Sequence, residues 1–172
     1  MRARRPYVAA AMAKRDGEAA KLIVKNRRAS FDYHVLRRYE AGLELTGTEV
    51  KSLRAGQVSL SDSYAQVENG ELFLLHCNIA PYQASGPALQ HAPLRPRRLL
   101  LHRREIDELG REVREKGLTL VPLSLYWKEG RAKAEIGLCK GKTFGDRREA
   151  IAERESRREI DRALRGARKR SR

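Results

Sequence analysis

The sequence predicts a mainly β domain with α elements: a small antiparallel OB-like β-barrel with two or three flanking helices and a basic C-terminal tail. Two apolar stretches are each divided by a dipeptide suited to a tight hairpin turn, Asn69-Gly70 and Glu129-Gly130. About six or seven short strand-like runs and two helical ones follow one another, mostly through hairpins, as in small closed sheets. The charge sits at the ends. Of the net +15 carried by 172 residues, +7 lies in residues 1–28 and +7 in residues 140–172, leaving +1 for everything between.

That distribution divides the chain into a basic arm over 1–20, a barrel over 21–142 and a basic tail over 143–172. The arm, with Arg2, Arg4, Arg5, Lys14 and Arg15, shows no period of 2 or 3.6 and is expected to be disordered. A transit peptide would share its Arg and Ala content, but Asp16 and Glu18 argue against one. Phe31, Tyr33 and Val35 alternate as on a strand, and Leu43 and Leu45 do so again after Gly42. Thr48 is the expected N-cap of a short helix ending at Gly56; with Lys51 three residues on, no capping box is expected.

Pairing Glu68 with Glu71 gives a hairpin with Ala65, Val67, Leu72 and Leu74 on one face and Tyr64, Phe73 and Leu75 on the other, so it should be covered on two sides or lie in a closed barrel. Residues 85–96, rich in Gly and Pro, are expected to form a mobile loop. Leu99–Leu101 then form a strand feeding a helix with Ile106, Leu109 and Val113 on one stripe, ending at Gly117. In the second hairpin, Lys128 opposite Arg131 aligns Val121 with Leu138, Leu123 with Ile136, Leu125 with Ala134 and Trp127 with Ala132. Its other face carries Tyr126 opposite Lys133 and Ser124 opposite Glu135.

The tail, over Glu149–Arg165, has good helix formers but only Ile151, Ile160 and Leu164 as large apolar residues. Such a stripe is too sparse to dock firmly, so disorder that becomes helix on a partner is expected.

Enzymatic signatures are missing. His34, His76, His91 and His102 are scattered, and Asp32 with His34 on one strand face is too common a spacing to mark a nuclease. GxSxG, GxGxxG and Walker A sequences do not occur, and Gly137-Leu-Cys-Lys-Gly141-Lys142 lacks the spacing of a P-loop. Neither a cofactor nor a metal is expected. Cys77 and Cys139 form no CxxC pair and are expected to be buried thiols of a reducing compartment. No apolar run is long enough to cross a membrane, so a cytoplasmic monomer is expected.

The pattern of cations points to a polyanion instead. Arg95, Arg97 and Arg98 crowd three guanidinium groups into four residues, which repel one another without an anion nearby. Lys140 and Lys142 flank Gly141 at a strand end, where a glycine lets a phosphate backbone come close. Tyr126 beside Lys133 suits stacking on an unpaired base. A ribosomal structural or assembly protein, bound permanently to ribosomal RNA, is the alternative within the same chemistry.

Eight stretches together resemble the SsrA-binding protein (small protein B) family of bacterial trans-translation: Asn26-Arg-Arg-Ala29, Tyr39-Glu-Ala-Gly42, Gly47-Thr-Glu-Val-Lys-Ser-Leu-Arg-Ala-Gly56, Asp62-Ser-Tyr64, Asn69-Gly-Glu71, Arg97-Arg-Leu-Leu-Leu101, Pro122-Leu-Ser-Leu-Tyr126 and Gly137-Leu-Cys-Lys-Gly-Lys142. The likeness runs through residues 22–160 in order. It implies a non-enzymatic RNA-binding factor whose OB-like barrel grips the tRNA-like domain of transfer-messenger RNA. Its tail would fold as a helix in the vacant mRNA channel of a stalled ribosome, near the small-subunit decoding centre. Rescue of the ribosome and tagging of the nascent chain for degradation would follow.

Carried over by motif, Glu40 would accept hydrogen bonds from RNA, Leu100 would lie on it and Lys133 would neutralise phosphate. Asn26, Arg27, Lys51, Arg54, Arg97, Arg98, Tyr126, Lys140, Gly141 and Lys142 complete the expected barrel contacts. Asp146-Arg147-Arg148 resembles the family's Asp-Lys-Arg tail motif and, with Arg154, Arg157 and Arg158, would meet ribosomal RNA. Arg147 replaces the usual Lys, changing donor geometry. Gly145 stands where the family has an aromatic residue or histidine, a contact that Phe144 would have to supply.

Overall fold

The structure is a computed structural model that describes residues 20–86, 90–146, 148, 151–152, 155–156, 158–160 and 162. The arm over 1–19, together with Arg147, Arg154 and Arg157, lies outside the described residues.

The chain runs β1 (Lys21–Lys25), α1 (Ala29–Asp32), β2 (Tyr33–Leu43), α2 (Gly47–Arg54), β3 (Val58–Ser59), β4 (Tyr64–Glu68), β5 (Glu71–Leu75), β6 (Asn78–Ile79), a 3-10 turn (Gln83–Ser85), β7 (Arg97–Leu100), α3 (Arg103–Lys116), β8 (Thr119–Lys128) and β9 (Arg131–Gly141). Every pairing is antiparallel. Seven strands take the order β1-β8-β4-β5-β7-β2-β9, and β8 also pairs with β9, so the pairings return on themselves; β3 and β6 form a separate pair.

Both hairpins turn where the dipeptides predict. Asn69 and Gly70 adopt φ of +49° and +76°, and Glu129 and Gly130 adopt +50° and +70°, the left-handed pair that matches strand twist. Glu68 pairs with Glu71, which turns Ala65, Leu72 and Leu74 inward to full burial. On the opposite face Tyr64 is exposed and Phe73 and Leu75 are half-buried, so of the two expected arrangements the hairpin is not covered on both sides but lies in a sheet whose pairings close on themselves. Inside the ring, the β4–β5 residues meet Ala41, Leu99, Leu120, Leu125, Ala134, Ile136 and Leu138, with Ile106 and Leu109 of α3 closing one side. Gly117, at φ +61°, ends α3 as its position predicts.

Three local expectations are corrected. Phe31 and Asp32 belong to the short α1 rather than to a strand, which leaves Asp32 beside Arg28 and frees His34 to face Asp146 at 3.5 Å. The cap of α2 is Thr46, not Thr48, and its third helical residue is Glu49, whose Oε2 accepts the Thr46 N–H at 2.8 Å; a capping box is therefore present. The β8–β9 register holds from Lys128–Arg131 to Ser124–Glu135 and then slips at Leu123, so that Pro122 pairs with Ile136 and Leu120 with Leu138.

A bulge of one residue exchanges the two faces of the rest of a strand. Val121 and Leu123 consequently leave the main core and form a second one with Ala29 and Cys139, against which Tyr33 and Val35 pack. Gly137 makes this possible, because a Cβ there would come within 3.1 Å of Leu123 Cδ1.

The segment after β6 is pinned where it is described. His91 is buried, with Nδ1 2.9 Å from Thr48 Oγ1 and Nε2 3.0 Å from the Ile79 oxygen, and Gln90 Nε2 donates to the Tyr82 oxygen. Residues 87–89 lie outside the described residues. Cys77 and Cys139 are buried free thiols, each pushed up to about 11 by burial.

Candidate nucleic-acid interface

The outer face of β2, β7, β8 and β9 gathers side chains from distant parts of the sequence. Gly42 of β2 pairs with Leu100 of β7 on one side and with Lys133 of β9 on the other. Two residues along β2, Glu40 points to the same face, and Tyr126 of β8 pairs with Lys133. Glu40, Leu100, Tyr126 and Lys133 thus form one surface. Leu100 is 49% exposed, a large apolar side chain without a cover. Gly42 makes room for it: a Cβ at position 42 would stand 3.2 Å from Leu100 Cβ. At the margin, Leu22 of β1 pairs with Tyr126 and is also exposed.

Glu40 is held from β8. Tyr126 Oη donates to its Oε2 at 2.7 Å, and Lys128 Nζ lies 3.0 Å from both carboxylate oxygens. Partial burial raises the Glu40 carboxyl, but the bonds from Tyr126 and Lys128 and the charge of Lys133 outweigh it, and the group ends below the ordinary carboxylate range. Burial and the bond to Glu40 push the Tyr126 phenol upward, so it remains a donor. Lys128 is a partner of Glu40 that residue type alone did not single out. Its place two residues after Tyr126 on a strand was the available signal.

Other expected contacts have different roles. Asn26 is buried, and its side chain is fully used: the amide donates to the Leu60 and Pro122 oxygens at 3.1 and 3.0 Å, and Oδ1 accepts the N–H groups of Arg28 and Ala29 at 3.2 and 3.1 Å. It fastens the end of β1 to the start of α1. Arg97 is likewise engaged inside the protein. Its side chain is wholly buried, with Nε 2.8 Å from Glu49 Oε1, Nη1 donating to the Cys77 and Arg95 oxygens and Nη2 to the Pro93 oxygen.

The anion missing from the sequence argument is internal. Arg95 also reaches Glu49, at 2.6 Å, and Arg98 lies 3.3 Å from Glu71. Burial raises the Glu49 carboxyl, yet the bonds from Arg95, the Thr46 N–H and Arg97 bring it down to about 2.

Arg27, Lys140 and Gly141 are exposed. Lys142 Nζ donates to the Ser30 oxygen at 3.0 Å, and a Cβ on Gly141 would meet nothing within 4 Å. On α2, the Lys51 ammonium lies 5.4 Å from the Tyr82 ring centroid and the Arg54 guanidinium 5.9 Å from that of Trp127.

The described residues of the tail from 144 onward are helical. Asp146 Oδ2 accepts the Thr143 N–H at 2.9 Å, a bond that lowers its carboxyl and caps the start of this segment. The Arg148 guanidinium stands 4.6 Å from the Phe144 ring centroid. Phe144, Ile151 and Ile160 are all exposed, and Arg158 is exposed as well. A Cβ at Gly145 would meet only Thr143 Oγ1, at 3.9 Å.

Comparison with known proteins places the chain. Residues 23–166 match the family described as SmpB protein. An SsrA-binding protein of Carboxydothermus hydrogenoformans is 56% identical over 145 residues, covering 84% of this chain and 97% of the relative. One from Thermobifida fusca is 58% identical over 149 residues, covering 87% and 92%. A solved structure described as "tmRNA-SmpB: a journey to the center of the bacterial ribosome" superposes with a TM-score of 0.60 at 48% identity, over 74% of this chain and 93% of that one. Matched across most of its length by the family and by relatives more than half identical, the chain belongs to the SsrA-binding protein family.

Proposed function

We infer that the chain is an RNA-binding factor of trans-translation, which binds the tRNA-like domain of transfer-messenger RNA and brings it to stalled ribosomes for rescue and nascent-chain tagging. The observation that carries the reading is the meeting of Glu40, Leu100 and Lys133 around Gly42 on one outer face. There a carboxylate acceptor, an uncovered apolar side chain and an ammonium group stand within one patch of sheet. A hydroxyl or base N–H, a base face and a phosphate are the three things an RNA presents to such a set.

The closed pairing order supports an OB-like barrel over 21–142, and its action on the ribosome supports a cytoplasmic location. Arg27, Lys51, Arg54, Arg98, Lys140 and Lys142 surround the barrel with cations for phosphate. The tail over 143–172 is the second RNA-binding element, its Arg147, Arg148, Arg154, Arg157 and Arg158 directed to the decoding centre and mRNA channel. No step of this function calls for a catalytic residue or a cofactor.

Purification tests the reading. The protein should carry one small stable RNA in stoichiometric amount and be absent from most unstalled ribosomes. Permanent residence on all ribosomes, with no such RNA, would replace it with a ribosomal structural role.

A further inference from the structure

Glu40 does not stand alone on the outer face. Strand register sets it directly opposite Glu135 of β9, and two carboxylates so placed repel. The structure separates them with two clamps. Glu135 accepts from Arg38 Nη1 at 3.0 Å and from Ser124 Oγ at 3.0 Å, whereas Glu40 is drawn toward Tyr126 and Lys128 of β8. Lys133, beside Glu135 on β9, adds a further positive field to Glu40.

A carboxylate offers about four lone-pair sites. Oε2 accepts from Tyr126 and Lys128, and Oε1 accepts from Lys128, so one site is left, on Oε1. A guanine edge presents N1–H and N2–H together and would need both oxygens. A single ribose 2′-hydroxyl or a single base N–H needs one.

We propose that Tyr126 and Lys128 are positioning residues, which hold the Glu40 carboxylate ionised and aimed so that it takes one RNA hydrogen-bond donor at Oε1. Tyr126 then serves the RNA through Glu40 and not by stacking on a base. The proposal rests on the reading that Glu40 meets the RNA. Without Tyr126, the carboxylate loses a donor while Glu135 remains opposite, so it takes up a proton more readily.

The test measures affinity of the full-length protein for a transcribed tRNA-like domain of transfer-messenger RNA, from pH 5 to pH 8, with thermal denaturation of each variant to confirm folding. Tyr126→Phe keeps the ring and removes only the donor. Glu40→Gln and Tyr126→Phe should each weaken binding about tenfold, and the double variant should be no weaker than Glu40→Gln alone. Lys128→Met should behave like Tyr126→Phe in the same cycle. Acid should release RNA from Tyr126→Phe at a higher pH than from the unaltered protein.

Unchanged affinity of Tyr126→Phe beside a weakened Glu40→Gln would overturn the positioning role, and so would strictly additive losses. Full affinity of Glu40→Gln would remove both the positioning role and the Glu40 contact, leaving RNA binding itself in place. Failure of the unaltered protein to bind the tRNA-like domain would strike the functional reading instead.

Discussion

The Glu49 carboxylate and the Arg97 guanidinium meet at 2.8 Å with both side chains wholly withdrawn from water. Glu49 caps α2 and Arg97 opens β7, so one ion pair fixes a helix against a strand 48 residues away in sequence. Removing Arg97 leaves the buried Glu49 with Arg95 as its other cation and strips the Cys77, Pro93 and Arg95 oxygens of their donor.

Arg97→Met should therefore lose about 3–5 kcal/mol in urea denaturation at neutral pH. The stability Glu49 contributes has a defined acid limb. Its carboxyl lies at about 2 in the fold against 4.5 ordinarily, so the contribution is complete above about pH 4.5 and is lost as pH falls through about 2. A flat stability profile between pH 5 and pH 2 would count against the pair.

Asn26→Ala removes four hydrogen bonds that join β1, α1, β8 and the turn at Leu60. The expected cost is about 2–3 kcal/mol of stability, since buried main-chain groups lose their partners. RNA affinity of the folded protein should change by less than about threefold, because the side chain has no group left for RNA.

Two glycines in one strand should respond oppositely. A Cβ at Gly137 would stand 3.0 Å from Cys139 Sγ and 3.1 Å from Leu123 Cδ1, inside a packed cluster. Gly137→Ala should cost about 1–3 kcal/mol by overpacking. Gly141→Ala meets open space and should stay within about 0.5 kcal/mol of the unaltered protein. A loss of RNA affinity in folded Gly141→Ala would mark the close backbone approach expected from its sequence.

Deletion of 143–172 should spare affinity for transfer-messenger RNA and abolish tagging of nascent chains. Among the described residues of the tail, Phe144, Ile151 and Ile160 are exposed, so little of the sheet's apolar burial goes with it. Equal loss of both would contradict the proposed division of labour between residues 21–142 and 143–172.

Much of this architecture was legible in the sequence because local chemistry decided it. Asn69-Gly70 and Glu129-Gly130 set both hairpins, and the stripe of Ile106, Leu109 and Val113 set α3. The failures share a cause, which is that a distant partner decides. Alternation through Val121 and Leu123 gave the wrong face because a bulge, tolerated only beside Gly137, intervenes. The internal partners of Asn26 and Arg97, the Pro122 oxygen and Glu49, lie 96 and 48 residues away and were invisible for the same reason. Glu40, Leu100 and Lys133 came from a family likeness, and their adjacency needed the sheet.

The extra residue at Leu123 also determines which changes of length the domain can absorb. Deleting it would leave plain alternation in β8 with the observed partners, Leu120 still opposite Leu138 inside and Val121 still on the outer side, at the cost of the contacts Leu123 makes. Plain alternation with Leu123 kept would instead send Val121 inward, expel Leu120 and abolish the second core.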